Sequence, residues 1–308
     1  MLRHLLITTL IAASTLLLAS CSSEQAVQTA IQFERQLSNL ERKQIQVDGH
    51  TVFYHEGGQG ETILMLHGFG GDADNWTRFA RPLTDNYRVI APDLPGSGES
   101  SRLQQANYSI PKQAERVLAM MDALKVNKVH LVGNSMGGYI AAWFTANHPE
   151  RVKSLALFDN AGVLGQNLSP FYKTLLDGRN MLVVESPVQF DDLWKLVFAD
   201  PPYLPDFVKT YFANKAYSNR EFNKKIFSEV REPYLPLDPM LPRIVAPTLI
   251  LWGEEDKVLD ISSIDVLKAN LTHTQPRIVT LPGVGHLPMV EKPKETARIY
   301  LDFIHDKS

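Results

Sequence analysis

The hydrophobic pattern of this chain changes period several times. Leu5 through Leu18 is almost wholly apolar. At about 14 residues it falls short of the roughly 20 needed to span a bilayer. Residues 22–43 are polar, with Val27, Ala30, Ile31, Leu37 and Leu40 at roughly helical spacing. That stripe predicts a helix that docks on the rest of the molecule, the plainer reading, or lies on a membrane surface. Lys43 to Val47 and Thr51 to His55 read as two strands, and Asp48-Gly49 between them is a strong two-residue hairpin signal. A strand–turn–helix rhythm follows. Thr62 to Leu66 and Tyr87 to Ala91 are continuous, mainly apolar runs, as expected of strands buried on both faces, and Val129 to Val132 and Val152 to Phe158 read as a third and a fourth strand. Pro111 to Leu124 is helical in pattern, with Ala114, Val117, Leu118, Met121 and Leu124 on one face. Met136 to Asn147 predicts another helix. Alternation of this kind argues for a mostly parallel sheet flanked by helices.

Between about residues 162 and 242 the rhythm breaks. The segment is rich in aromatics, Pro and Lys and holds no clear strand. Phe171, Tyr172, Phe190, Trp194, Phe198, Tyr203, Phe207, Tyr211 and Phe212 all fall here. The rhythm resumes with a strand at Thr248 to Trp252, a helix near Ser263 to Asn270, a strand at Arg277 to Leu281 and a final helix from Pro293. The middle segment therefore reads as an insertion, a helical cap over the sheet.

Composition narrows the function classes. The 308 residues are 44% hydrophobic and 21% charged, with a formal net charge of −3. Lys and Arg are not clustered, so no basic field points to nucleic acid. There is no G-x-x-x-x-G-K-[ST] loop, no dinucleotide fingerprint and no His/Cys ligand cluster, so no cofactor or metal is expected. Nothing demands more than a monomer. The single cysteine, Cys21, excludes an intrachain disulfide.

Cys21 matters for where it sits. Arg3 lies before the apolar run, and Leu18-Ala19-Ser20-Cys21 ends it. This is the layout of an export signal. It resembles the lipobox of bacterial lipoproteins, which implies a signal peptide over 1–20 and lipidation of Cys21. Residues 21–43 would then form a linker and helix ahead of the domain at 44–308. Ser22, not Asp, follows the cysteine, a pattern that resembles sorting to the outer membrane. The expectation is an exported protein held to the cell envelope by lipid on Cys21.

Gly133-Asn134-Ser135-Met136-Gly137 fits G-x-S-x-G with a buried strand running in and a helix running out. The glycines permit a strained turn that exposes the serine oxygen. A serine hydroxyl needs a base. His286, in Val284-Gly285-His286-Leu287-Pro288 just after the last strand, sits in a loop as a catalytic histidine must. His148, His273 and His305 are worse placed. The acid that orients the imidazole has four candidates: Glu254, Glu255 and Asp256 after one strand, and Asp159 after another. The oxyanion donors should be the N–H of Met136 and one from His67-Gly68-Phe69-Gly70-Gly71, where Phe69 is expected to supply it. His67 is expected to shape that loop. Asp93-Leu94-Pro95-Gly96-Ser97-Gly98-Glu99-Ser100 is read as a structural turn.

Together these motifs, spread from about Val47 to Ile304, resemble the α/β-hydrolase superfamily, whose fold is expected here with a cap insertion at about 162–242. Trp252-Gly253-Glu254-Glu255-Asp256-Lys257-Val258 resembles the acid turn of many members, which selects Asp256. Within the superfamily the chain is similar to bacterial lipases related to monoacylglycerol lipases. That similarity rests on the loop at His67 with Asn75 after it, on the Ser135 elbow with Gly138, and on Asp159-Asn160-Ala161-Gly162. It rests further on Pro201-Pro202-Tyr203-Leu204-Pro205 and on His286-Leu287-Pro288-Met289-Val290-Glu291. It implies an ester hydrolase whose substrate is an acyl ester or acylglycerol, with an aromatic cap that could wall an acyl pocket. The elbow also resembles carbon–carbon bond hydrolases of ring-cleavage products. Those carry a Pro in the oxyanion loop and usually a Trp after the histidine, where this chain has Gly70-Gly71 and Leu287. A short-chain carboxylesterase is a further alternative. A non-enzymatic binding lipoprotein would be favoured by a missing triad member, and none is missing.

Overall fold

A computed structural model describes residues 23–306. Cys21 and the apolar run before it lie outside the described residues. No described helix is long and apolar enough to cross a membrane.

Helix α1 covers 23–37. The strands β1 (Glu41–Val47) and β2 (His50–Gly57) form the hairpin that Asp48-Gly49 predicts. Both turn residues take positive φ, 48° and 76°, which matches the right-handed twist of the strands. Then come β3 (Glu61–Leu66), the short α2 (Thr77–Ala80), β4 (Tyr87–Pro92), α3 (Ile110–Ala123), β5 (Val129–Asn134), α4 (Met136–Asn147) and β6 (Val152–Phe158). The insertion holds α5 (Pro170–Leu176), α6 (Phe190–Val197), α7 (Asp206–Ser218) and α8 (Arg220–Arg231), with no strand among its described residues. Last are β7 (Thr248–Gly253), α9 (Ser263–Asn270), β8 (Arg277–Leu281), α10 (Pro288–Glu291) and α11 (Pro293–His305).

The eight strands form one sheet in the order β1-β2-β4-β3-β5-β6-β7-β8. Only β1/β2 and β2/β4 are antiparallel. The mainly apolar character of these strands follows from burial on both faces. Leu64, Leu66, Leu131, Leu155, Leu157 and Ile250 pack on one side with α3, α4 and α9. Ile63, Met65, Val132, Ala156, Phe158 and Leu251 pack on the other with Trp76, Phe79, Tyr300 and Phe303. Helix α4 is apolar all round because it is buried all round. Edge strand β1 is mostly exposed and carries Glu41, Arg42 and Lys43, charges that discourage pairing with another chain.

One expectation needs correction. Helix α1 docks on the domain, but not by the whole predicted stripe. Val27 is buried, whereas Ala30 and Leu37 face solvent. Its contact is largely polar. Arg35 donates to both carboxylate oxygens of Asp74, at 2.7 and 2.6 Å, and Glu34 accepts from Arg78 and Arg81. The aromatics of the insertion divide between buried and exposed positions. Phe171 and Phe190 are buried in small clusters of their own, Phe198 is buried against Trp194, and Phe222 belongs to the main core, while Tyr203 is 88% exposed and Phe207 is also exposed. Helix α8 reaches the main core through Phe222 and Ile226, whereas α5, α6 and α7 pack in the small clusters.

Candidate active site

Every candidate residue of the site lies at the carboxyl end of a parallel strand, where ligands gather in open α/β sheets. Central β5 ends at Asn134, and Ser135 follows as the residue that caps α4. Its backbone sits at φ 54°, ψ −119°, a strained conformation for a non-glycine residue. The strain is held in place. Ser135 N–H donates to the Phe158 carbonyl at 3.0 Å, and its own carbonyl accepts from Ala161 N–H at 3.0 Å. The flanking glycines are demanded by crowding. A Cβ on Gly133 would lie 2.3 Å from the Gly137 oxygen, and one on Gly137 would lie 2.1 Å from the Leu66 oxygen. Neither neighbour can yield, because each is backbone. Gly137→Ala is therefore expected to destabilise the protein by about 3 kcal/mol or more, at or beyond the upper end of ordinary overpacking. Urea unfolding would measure this, and wild-type stability would refute it.

His286 sits on the loop after β8. Its Nδ1 lies 2.8 Å from Asp256 Oδ2, and the Asp256 side chain is fully buried. Asp256 Oδ1 accepts from the N–H groups of Val258 and Leu259, at 2.7 and 3.1 Å. The rivals in that turn point elsewhere. Glu254 accepts from the Thr280 hydroxyl, and Glu255 is exposed. With Asp256 accepting, Nδ1 carries the proton and Nε2 is free to receive another.

Three supports of this loop were not singled out from sequence. Asn134, the variable residue of the elbow, donates from Nδ2 to the His286 carbonyl at 3.0 Å. Glu291 accepts from Gly285 N–H at 2.8 Å and from Ala199 N–H at 3.0 Å, tying the histidine loop to the insertion. The His286 N–H donates to Val197 O at the end of α6. Glu291 stood in the motif at His286, but its partner lies 92 residues away and no spacing could reveal it.

The loop after β3 passes close to Ser135. A Cβ on Gly68 would lie 3.1 Å from the Ser135 Cβ. His67 is fully buried behind it. Its Nε2 accepts from Leu94 N–H at 3.0 Å, so its proton sits on Nδ1 and is donated to the Gly68 carbonyl at 2.7 Å. Burial lowers its pKa and keeps it neutral. Met136 opens α4, where N–H groups lack helical partners and the helix dipole favours negative charge. The Phe69 ring meets Phe227 of α8 edge-to-face at 5.5 Å. The turn at Asp93 is structural. Asp93 accepts from the N–H groups of Ala73 and Glu99 and pairs with Arg42.

A second link joins the insertion to this loop. Lys215 of α7 donates to Asp72 Oδ2 at 2.7 Å, while Asp72 Oδ1 caps the 3-10 turn through Asp74 N–H. Burial raises the Asp72 pKa, but Lys215 outweighs it and the group falls to about 2. The unfolded value is about 3.9. The pair's contribution to stability is thus complete above about pH 4 and is lost as pH falls toward about 2. Lys215→Met is expected to cost about 1–3 kcal/mol at pH 7, less than a fully buried pair because the lysine is partly exposed. The difference from wild type in urea unfolding should narrow below about pH 4. An equal difference at pH 7 and pH 3 would contradict the pairing.

A family model described as alpha/beta hydrolase fold matches residues 61–293. The chain belongs to the α/β-hydrolase family, and it is an ester hydrolase. It is 36% identical to Lipase 1 of Psychrobacter immobilis over 281 residues, covering 90% of this chain and 88% of that one. It is 31% identical to a monoacylglycerol lipase of Xenopus laevis over 258 residues, covering 80% and 76%. The crystal structure of a membrane phospholipase A superposes with a TM-score of 0.94 at 45% identity, covering 100% of this chain and 99% of that one.

Proposed function

We propose that this protein is a lipase-type serine hydrolase that cleaves acyl esters of lipids at a membrane surface. The observation that carries the catalytic part is the Asp256–His286 bond at 2.8 Å, in a loop that Asn134 ties to the Ser135 elbow. Ser135 is the nucleophile. His286 takes its proton on Nε2 as Oγ attacks the ester carbonyl. The N–H groups of Met136 and Phe69 receive the oxyanion. His286 then protonates the leaving alcohol, and water hydrolyses the acyl-enzyme by the reverse roles. The segment at about 162–242 is a cap, and its links to the Asp72 and His286 loops support that reading.

The lipid substrate is supported by the named activities of the relatives, a lipase, a monoacylglycerol lipase and a phospholipase A. Membrane attachment is supported by the apolar run that ends at Cys21 and by likeness to a membrane phospholipase. In this reading Cys21 is lipidated and the mature protein is held to the envelope, at the outer membrane.

The test of substrate is a panel on protein beginning at Ser22: p-nitrophenyl esters from short to long chain, a monoacylglycerol, a phospholipid, a triacylglycerol emulsion and a vinylogous 1,5-diketone. Release from medium or long acyl chains and glycerides is the expected outcome. Turnover of short esters alone would make it a carboxylesterase, and diketone cleavage with poor ester turnover would overturn the lipid reading. Attachment is tested by Cys21→Ser in the full chain. Wild type should stay with membranes and gain the mass of a lipid, and the variant should lose that mass. An identical distribution and mass would exclude lipidation.

A further inference from the structure

Asp159 follows β6 directly and has no role in the mechanism above. It is fully buried, and its backbone sits at φ 43°, outside the region most residues use. Two strained residues thus stand at the ends of neighbouring strands, Ser135 after β5 and Asp159 after β6. Asp159 Oδ1 accepts from Gly253 N–H at 2.8 Å, at the end of β7. Its Oδ2 is buried with no donor in reach. Its near neighbour is another carboxyl: one oxygen of Asp159, one of Asp256 and a ring nitrogen of His286 all lie within 4.8 Å of one another.

Two carboxylates in such contact cannot both be ionised in a buried site. Their surroundings decide which keeps the proton. Asp256 accepts three hydrogen bonds, from Val258, Leu259 and His286, all of which favour its charge. Asp159 accepts one. The groups facing Asp159 are the carboxyls of Asp256 and of Glu291 on α10 and the His286 imidazole. Lys257, on the Asp256 turn, points away to the carbonyls of Lys195 and Phe198. A proton on Asp159 Oδ2 supplies the donor that this oxygen otherwise lacks.

We propose that Asp159 is a positioning residue: a neutral carboxyl that donates a hydrogen bond to Asp256 and holds it against His286. The proton stays on Asp159 through the catalytic cycle. Burial and the neighbouring Asp256 charge both raise its pKa, in keeping with that state. The inference rests on the triad reading above, with Asp256 as the acid.

Asparagine separates this role from a charged one. In Asp159→Asn the amide oxygen can keep the Gly253 bond and Nδ2 can donate to Asp256. Alanine can do neither. The experiment is kcat, KM and the pH profile of kcat/KM for wild type, Asp159→Asn, Asp159→Ala and Asp256→Asn. Asp159→Ala should lower kcat by about 10–100-fold with KM within about twofold, the size expected for one charge-assisted hydrogen bond. Asp159→Asn should return kcat to within about threefold of wild type and leave the acid limb of kcat/KM within about 0.3 pH units. An acid limb lowered by about one unit in Asp159→Asn would mean that a negative charge had been removed beside His286, and the proposal would fail. It would fail too if Asn were as slow as Ala, or if Ala had wild-type kcat. Should Asp159→Ala not fold, the acid limb of the isosteric Asn variant decides alone. If Asp256→Asn kept wild-type kcat while both Asp159 variants lost it, Asp159 would itself be the acid. The triad reading would then be the one that falls.

Discussion

Ser135→Ala is expected to remove ester turnover by about 10⁴-fold or more while leaving the fold intact. The magnitude follows from what the serine does alone. No other hydroxyl is held at the strained elbow, beside the Gly68 loop and in front of α4. Removing Oγ leaves the proposed oxyanion donors and the cap, so substrate should still bind. Residual rate over water should then come from those donors alone. His286→Ala should fall by a similar factor, and the double variant should fall little further, because the two act as a unit. Steady-state kinetics on the best substrate of the panel, with thermal melts as a control on folding, would check all three. A Ser135→Ala protein within about tenfold of wild type would end the acyl-enzyme mechanism.

Asp256→Asn is expected to lower kcat by about 10³–10⁴-fold, with KM little changed. The reason can be followed atom by atom. Asp256 Oδ1 accepts from two main-chain N–H groups, and Oδ2 accepts from His286. An asparagine must turn its oxygen toward Val258 and Leu259, because its NH₂ cannot accept from them. The NH₂ then faces His286 and donates to Nδ1. That moves the ring proton to Nε2, the atom that must take the serine proton. The variant should therefore be inactive through the wrong tautomer, with geometry preserved. Kinetics together with a nitrogen NMR spectrum of His286 would test this. A near-wild-type rate with the proton still on Nδ1 would refute it and turn attention to Asp159.

Much of the architecture could be read from periodicity. Helix α4 runs from Met136 to Asn147 and strand β6 from Val152 to Phe158, the bounds that their apolar runs predict. Such strands are legible because burial on both faces leaves few polar positions, and those that occur find partners, as Ser154 does with His130 and Lys153 with Glu61. The hairpin at Asp48-Gly49 was legible because those residues tolerate positive φ. The Ser135 elbow was legible because crowding at Gly133 and Gly137 leaves one residue type at each.

Less could be read where partners are distant in sequence. The stripe on α1 included Ala30 and Leu37, which are exposed, because the helix is held by Arg35 and Glu34 to charges on the domain. Charged residues have no periodicity that separates a docked face from a wet one. The insertion showed its aromatics but not which were core, since α8 joins the main core while α5, α6 and α7 make small clusters whose membership depends on their mutual packing.

The sequence by itself determined the strand and helix rhythm, the hydrolase fold, and the residue types for a serine nucleophile and its base. These are local: each is set by the period of burial or by a steric demand within a few residues. A family resemblance in the sequence selects Asp256 as the acid, but only the tertiary structure shows how the two aspartates sit. Asp159 and Asp256 both follow apolar strands, and their spacing to His286 along the chain ranks neither. The sheet sets β6 beside β7, so both carboxyls converge, Asp256 against the imidazole and Asp159 against Asp256. The same holds for Lys215 and Asp72, 143 residues apart, whose pairing exists because α7 folds back over the loop after β3. Charge–charge and hydrogen-bond partners depend on distance in space, and in this chain the sheet order sets that distance.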